Sequence, residues 1–206
     1  MKKEGKTELS LRAKIVFFAT GNFNKFSEAR IILKEYGFAS AMLNVKTFEV
    51  QNDNIAEIAK TSIFEAFKLC RLPLIAEDAG LFIHELKGFP GPYAAYVYKT
   101  ISNPGILKLM EKVENRKATF RSAIAYYDGR GKPVCFEGET EGEIADKERW
   151  GNGKTGFGFD PIFLPEGKKK TFAEMSILEK NQLSHRARGL RKFAEWYRKQ
   201  SLENRL

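Results

Sequence analysis

The sequence predicts an α/β fold, on three observations. Short apolar runs of strand length recur along the chain, such as Ile15-Val16-Phe17-Phe18-Ala19 and Leu74-Ile75-Ala76. Between them lie segments whose apolar residues fall at helical spacing. The joints carry small or polar residues that suit turns and helix caps. With 206 residues and 43% hydrophobic content the chain can bury one substantial core, so we expect a single domain over residues 14–200. The polar stretch 1–13 reads as a loose extension, and 201–206 as a tail.

The first strand, Ile15 to Ala19, runs into Thr20-Gly21-Asn22-Phe23-Asn24-Lys25. A helix follows, with Asn24 as N-cap, Ala29, Ile32, Leu33 and Tyr36 on its inner face, and Gly37 as the stop. A strand, a polar turn and a helix N-terminus offer backbone N–H groups and the helix dipole to an anion, and Lys25 adds a point charge. On the residues alone this is equally an ordinary strand-to-helix turn.

A second strand is expected from Leu43 to Val50, ending near Glu49. The next helix carries the stripe Ile55, Ile58, Ala59, Ile63, Ala66, Phe67 and Cys70, and Asn54 with Glu57 reads as a capping box. It leads to Leu74-Ile75-Ala76 and then to adjacent acids, Glu77 and Asp78, followed by Ala79 and Gly80. A strand that ends on acids and turns is one way to set a carboxylate at the carboxyl edge of a sheet, where open sheets bind ligands. Gly88-Phe89-Pro90-Gly91-Pro92-Tyr93 adds rigid turn chemistry beside it.

Asn103 to Val113 reads as an amphipathic helix, and Lys117 to Tyr127, Asp128-Gly129-Arg130-Gly131 and Lys132 onward as a hairpin. Glu137, Glu139, Glu141 and Glu143 alternate and so share a solvated strand face. In Gly156-Phe157-Gly158-Phe159-Asp160-Pro161, glycines flank aromatics; Phe159 is either a stacking ring for a base or a buried anchor. Ser176 and Glu179 form a capping box for a short helix carrying Lys180 and Asn181. Ser184 caps a final helix with Ala187, Leu190, Ala194 and Tyr197 inside, which puts His185 and Arg186 at its N-terminus, where the dipole disfavours a protonated His.

Lysine and arginine number 35 against 26 acids, a net charge of +9 that favours polyanionic partners such as nucleic acid or nucleotides. Zinc-finger spacing and the aromatic-basic signature of an RNA-recognition domain are absent. The longest apolar runs are too short to span a bilayer, and no signal-peptide pattern opens the sequence. The two cysteines, Cys70 and Cys135, read as buried free thiols, which fits a reducing cytoplasm.

Four stretches together resemble one family, the non-canonical purine nucleoside triphosphate pyrophosphatases, or inosine triphosphate pyrophosphatase family. They are Phe18 to Lys25; Glu77-Asp78-Ala79-Gly80-Leu81 with Gly88-Phe89-Pro90-Gly91; Gly156 to Phe163; and Thr171 to Ser176 with Glu179-Lys180-Asn181 and Ser184-His185-Arg186. The resemblance runs from about Ile15 to Tyr197. It implies an elongated central mixed sheet with flanking helices, two lobes around a nucleotide-binding cleft, and a homodimer. It further implies Mg²⁺-dependent hydrolysis of inosine, deoxyinosine and xanthosine triphosphates (ITP, dITP, XTP) to the monophosphate and pyrophosphate, without a stable nucleic-acid or membrane partner. By position, Asp78 is implied as metal ligand and proton acceptor and Glu49 as the second metal ligand. Thr20, Gly21, Asn22, Phe23, Asn24 and Lys25 are implied to hold the triphosphate. Ala79, Phe157, Gly158, Phe159, Asp160, Lys180, His185 and Arg186 are implied as further substrate contacts. The sequence departs from the family at Ala79, commonly Ser or Thr, and at Phe159, usually Tyr or Trp. Two other readings are a related pyrophosphatase for modified pyrimidine or common nucleotides, and a basic nucleic-acid-binding domain.

Overall fold

Strand β1 (Ile15–Ala19) alternates as its sequence dictates: Val16 and Phe18 turn into one core, Phe17 and Ala19 toward another. The computed structural model in which this is seen describes residues 14–45, 50–152 and 156–203. Helix α1 (Phe23–Glu35) is capped by Asn22 and not by the expected Asn24. The cap must stand in extended backbone just before the first turn, and Asn22 does so, its side chain accepting from the N–H groups of Asn24 and Lys25 at 2.9 and 3.2 Å. Gly37, at φ +79°, stops the helix as expected.

The chain then re-enters the sheet at once as β2 (Ala39–Leu43), parallel to β1. This corrects the strand expected from Leu43 to Val50: the turn at Gly37 brings the Ala39 N–H within 3.0 Å of the Lys14 carbonyl, so pairing starts four residues before Leu43. Residues 46–49, Glu49 among them, lie outside the described residues. Helix α2 (Ile55–Cys70) has Asn54 as its cap, but Glu57 pairs with Lys60 at 2.9 Å. An exposed lysine one turn on competes for the carboxylate that the expected capping box needed.

Strand β3 (Leu74–Ile83) does not end on its acids but carries them in mid-strand. Its antiparallel partner β5 (Lys117–Tyr127) pairs with it along its whole length, from Leu74 opposite Tyr127 to Ile83 opposite Ala118, and so extends it past Gly80. Strand β4 (Pro90–Gly91) folds back onto β3 so closely that a Cβ at Gly80 would lie 2.4 Å from the Gly91 carbonyl oxygen. Helix α3 (Ala94–Thr100) was not anticipated, and α4 (Ser102–Leu109) is shorter than the expected Asn103 to Val113, with Lys112 at φ 61° beyond its end.

Strands β5 and β6 (Val134–Ile144) form the expected hairpin, with Glu137, Glu139, Glu141 and Glu143 all exposed. Strand β7 (Phe163–Pro165) pairs with β6. Helix α5 (Ile177–Leu183) opens on the expected Ser176–Glu179 capping box. Helix α6 (His185–Glu203) begins with the Ser184 hydroxyl accepting from the Ala187 N–H at 3.2 Å.

The seven strands form one mixed sheet in the order β2-β1-β3-β5-β6-β7, with β4 attached to β3. Helices α1 and α6 cover one face around Ile32, Leu33, Ile75 and Phe193; α2 covers the other around Ala59, Ile63, Leu74 and Ala123. The α/β architecture is therefore the one expected. Both cysteines are free and half-buried against the α2 cluster, and burial pushes the Cys135 thiol up to about 11. No described helix is long and apolar enough to cross a membrane.

The contact of α6 with the hairpin depends on glycine. A Cβ at Gly138 would stand 2.2 Å from the His185 carbonyl oxygen and 2.5 Å from the Gly189 nitrogen, both backbone atoms that cannot swing aside. Gly138→Ala is expected to cost about 1–3 kcal/mol in urea unfolding. Gly138 has no positive φ, so this cost comes from the clash and not from backbone strain.

Candidate active site

Successive side chains of a strand point to opposite faces, so the adjacent acids must part company. Leu74 and Ala76 pack in the α2 cluster and Ile75 in the α1/α6 cluster. Continuing that alternation, Asp78 belongs to the α2 face and Glu77 to the α1/α6 face. Strand β1 stops at Ala19, opposite Ala76, so both acids stand just past its end, where the Thr20 to Lys25 turn leaves the sheet. Lys25 closes this corner: its Nζ is 3.5 Å from the Glu77 carbonyl oxygen and 3.6 Å from a Glu77 carboxylate oxygen.

The Glu77 side chain is fully buried and meets Arg186, whose Nε lies 2.8 and 2.9 Å from its two carboxylate oxygens. Arg186 Nη1 donates to Glu28 on α1, Lys180 Nζ lies 2.8 Å from the other Glu28 oxygen, and Lys180 reaches Asp160 at 2.6 Å. Asp160 also accepts from the Phe157 N–H at 2.9 Å. The result is one chain of alternating charge, Asp160–Lys180–Glu28–Arg186–Glu77–Lys25, that ties α1, α5, α6, β3 and the 156–160 loop together. Its inner members are almost wholly removed from water. Alternation is what makes this tolerable, because an isolated buried charge costs several kcal/mol.

Ionisation follows from the same geometry. Burial alone would raise the Glu28 carboxyl, but Lys180 and Arg186 overcome it and hold the group below the usual range. Asp160 is raised by burial, with Glu28 adding to the shift and Lys180 opposing it. Burial works against the Arg186 charge, yet Glu77 and Glu28 more than offset it and raise its pKa. His185 is pushed well below 6.5, first by burial and then by Arg186, Lys180 and Lys25, so it is neutral, as its place at the start of α6 suggested. Its ring stacks on Phe120 at 4.7 Å with planes 8° apart, and among the described residues its buried Nδ1 has no hydrogen-bond partner.

Several expectations need revision. Phe159 is 4% exposed and meets Tyr98 edge-on at 5.5 Å, so it is the buried anchor and presents no stacking face. The half-buried ring is Phe157, with Lys180 Nζ and the Arg186 guanidinium 4.7 and 5.4 Å from its centroid. Gly158, at φ +59°, makes the reversal between the two rings and accepts from Asn103 at 3.3 Å. Thr20 and Asn22 bond within their own turn: Thr20 Oγ1 accepts from the Asn22 N–H at 3.1 Å, and the N–H groups of Asn24 and Lys25 are taken up by Asn22. Phe23, by contrast, is 69% exposed. Glu28 was missed, although it sits one turn before Ile32 on the buried stripe of α1, where an acid has no place without a partner.

Among the described residues no three His, Cys, Asp or Glu side chains gather into a metal site. Glu77 is committed to Arg186 and Lys25. The half-buried Asp78 supplies one carboxylate beside the turn, and this fits a magnesium ion, which binds through one or two carboxylates together with phosphate oxygens and water. Glu49, the second expected ligand, lies outside the described residues.

A family model described as the Ham1 family matches residues 16–196. The chain belongs to the Ham1 family. The resemblance read from the four motifs is thereby borne out. The chain is 49% identical over 183 residues to the dITP/XTP pyrophosphatase of Methanopyrus kandleri, covering 89% of this chain and 96% of that one. It is 48% identical over 179 residues to the protein of the same name from Thermococcus kodakarensis, covering 87% and 95%. Among solved structures, a HAM1 protein from Coxiella burnetii matches with TM-score 0.77 at 27% identity, covering 90% and 99%. The Staphylococcus aureus Ham1 protein matches with TM-score 0.75 at 27% identity, covering 91% and 100%.

In this Ham1-family chain the buried network sets two measurable costs. Glu28→Ala leaves Lys180 and Arg186 short of a counter-charge, and is expected to lower folding stability by about 3–5 kcal/mol in denaturant titration. His185 carries the second. Its folded pKa is depressed, so below about pH 6.5 the unfolded chain binds a proton that the folded one refuses, and stability falls with pH from there. The expected limiting slope is about 1.4 kcal/mol per pH unit for one proton. His185→Gln should remove the loss of about 1 kcal/mol that this produces between pH 6.5 and 5.5, whatever it does to stability at pH 8.

Proposed function

We propose that this protein hydrolyses inosine, deoxyinosine and xanthosine triphosphates to the monophosphate and pyrophosphate, and so clears them from the nucleotide pool. The observation that carries the reading is the 49% identity to a dITP/XTP pyrophosphatase across 96% of that protein's length. The division of labour between the paired acids supports it.

In this reading the Thr20 to Lys25 turn and Lys25 hold the triphosphate, with Asn22 able to release the N–H groups it caps to phosphate oxygens. Asp78 accepts the proton of a water whose oxygen bonds to the α-phosphorus, while the bond from that phosphorus to the bridging oxygen breaks and the electron pair leaves with pyrophosphate. Asp78, with Glu49, would hold Mg²⁺, which when bound neutralises part of the triphosphate charge. Glu77 takes no part in the chemistry; it holds Arg186 in place. With Nε and Nη1 of Arg186 committed to acids, Nη2 is the edge left for a 6-keto oxygen, beside neutral His185 and the Phe157 ring. A 6-amino base would leave such a donor unpaired at about 1–3 kcal/mol, roughly 5- to 150-fold in kcat/KM. The same reading takes the protein as a cytoplasmic homodimer.

Asp78→Asn is expected to lower pyrophosphate release from dITP by at least about 10²-fold with the melting temperature kept. Turnover near the parent's would remove Asp78 from the mechanism. Side-by-side rates on the triphosphates of inosine, xanthosine, adenosine, guanosine and a modified pyrimidine test the substrate class. Preference for adenosine or the pyrimidine would refute it.

A further inference from the structure

Away from the acids, the structure contains a cavity of about 520 Å³ that the reaction does not use. It is lined by Lys14 before β1, the ends of the β5–β6 hairpin, and the second half of α6, with Trp196 and Tyr197. Arg186 and Trp196 are ten residues apart on α6, so about 15 Å of helix separates this cavity from the charged network. The volume falls in the range of small-molecule sites.

Its chemistry is specific. Lys14 and Lys132 supply positive charge, while Arg130 is spent on the acid present, Asp128, whose two oxygens accept from the Arg130 backbone N–H at 3.0 Å and from Nε and Nη2 at 3.1 and 2.8 Å. That pair fixes the guanidinium at the rim. The same cavity has an aromatic wall: Tyr126 meets Trp196 edge-on at 5.4 Å, with Tyr197 5.4 Å from Tyr126 and stacked on Phe193 at 5.4 Å. Lys14 Nζ lies 5.8 Å from the Tyr197 ring centre. Burial pushes the Tyr126 phenol up, so it stays a neutral hydroxyl. An aromatic face suits a flat ring, and lysines in the same cavity suit an anionic group on the same molecule. A volume of this size suits one ring system with its phosphate.

We propose that this cavity binds a mononucleotide, its base against Trp196 and its phosphate between Lys14 and Lys132. Trp196 supplies the readout: the other tryptophan, Trp150, does not line the cavity, so a Trp150→Phe chain reports on Trp196 alone. The probe is adenosine monophosphate, whose 6-amino base the proposed active site disfavours. Adenosine, inorganic phosphate and a 5′-phosphorylated oligonucleotide serve as further arms. A saturable fluorescence change is expected with adenosine monophosphate, with affinity at least about tenfold above adenosine or phosphate alone. Adding Lys14→Glu and Lys132→Glu should weaken it at least about tenfold while melting temperature and dITP turnover stay unchanged. Absence of a saturable change, or one that survives the charge reversals, would overturn the proposal. So would equal binding of adenosine or phosphate alone, or oligonucleotide binding about tenfold tighter than the mononucleotide. Failure here leaves the pyrophosphatase reading intact, because that reading rests on dITP turnover measured separately.

Discussion

Charged side chains leave water only if partners replace the hydration they lose, and in this protein that requirement organises the molecule. Glu28 is the pivot. One carboxylate on α1 takes Lys180 from α5 on one oxygen and Arg186 from α6 on the other. The two cations reach on to Asp160 and Glu77, so helices distant in sequence are fixed against the middle of β3. Apolar packing positions elements less finely, because apolar contact is non-directional and a charge-assisted hydrogen bond is not.

The same network explains why neighbouring acids have different characters. Strand geometry alone sends Glu77 and Asp78 to opposite faces. The early end of β1 at Ala19 removes the strand that would otherwise flank them, and the continuing pairing with β5 keeps them rigid. Glu77 is then saturated by Arg186 and Lys25 on the crowded face. Asp78 sits half-buried on the α2 face, beside the turn that the family resemblance implies for phosphates.

Much of this was legible in the sequence because it rests on local patterns. The stripe of α2, the hairpin and the Ser176–Glu179 capping box follow from spacing, and the neutral histidine at the start of α6 was expected from the helix dipole, although burial and the neighbouring cations are what hold it neutral. What escaped was set by contacts between distant segments. The acids looked like the end of a strand because the continuation through Ala79 and Gly80 depends on β5, some forty residues later. Phe159 looked like a stacking ring as readily as an anchor, and its burial against Tyr98 decides the matter. Glu28 did carry a local signal, an acid on an apolar stripe, but its partners lie more than 150 residues away.

The account stands on Glu77 being bound to Arg186 and not to the reaction. A double-mutant cycle with Glu77→Gln and Arg186→Met, followed by urea unfolding at pH 7.5, tests this most directly. The two changes are expected to be coupled by about 1–3 kcal/mol, since each alone strands the other's buried charge, while the loss of Arg186 from Glu28 occurs in both Arg186 variants and cancels in the cycle. Additivity within about 0.5 kcal/mol would show that the two side chains do not depend on each other, and would contradict the account.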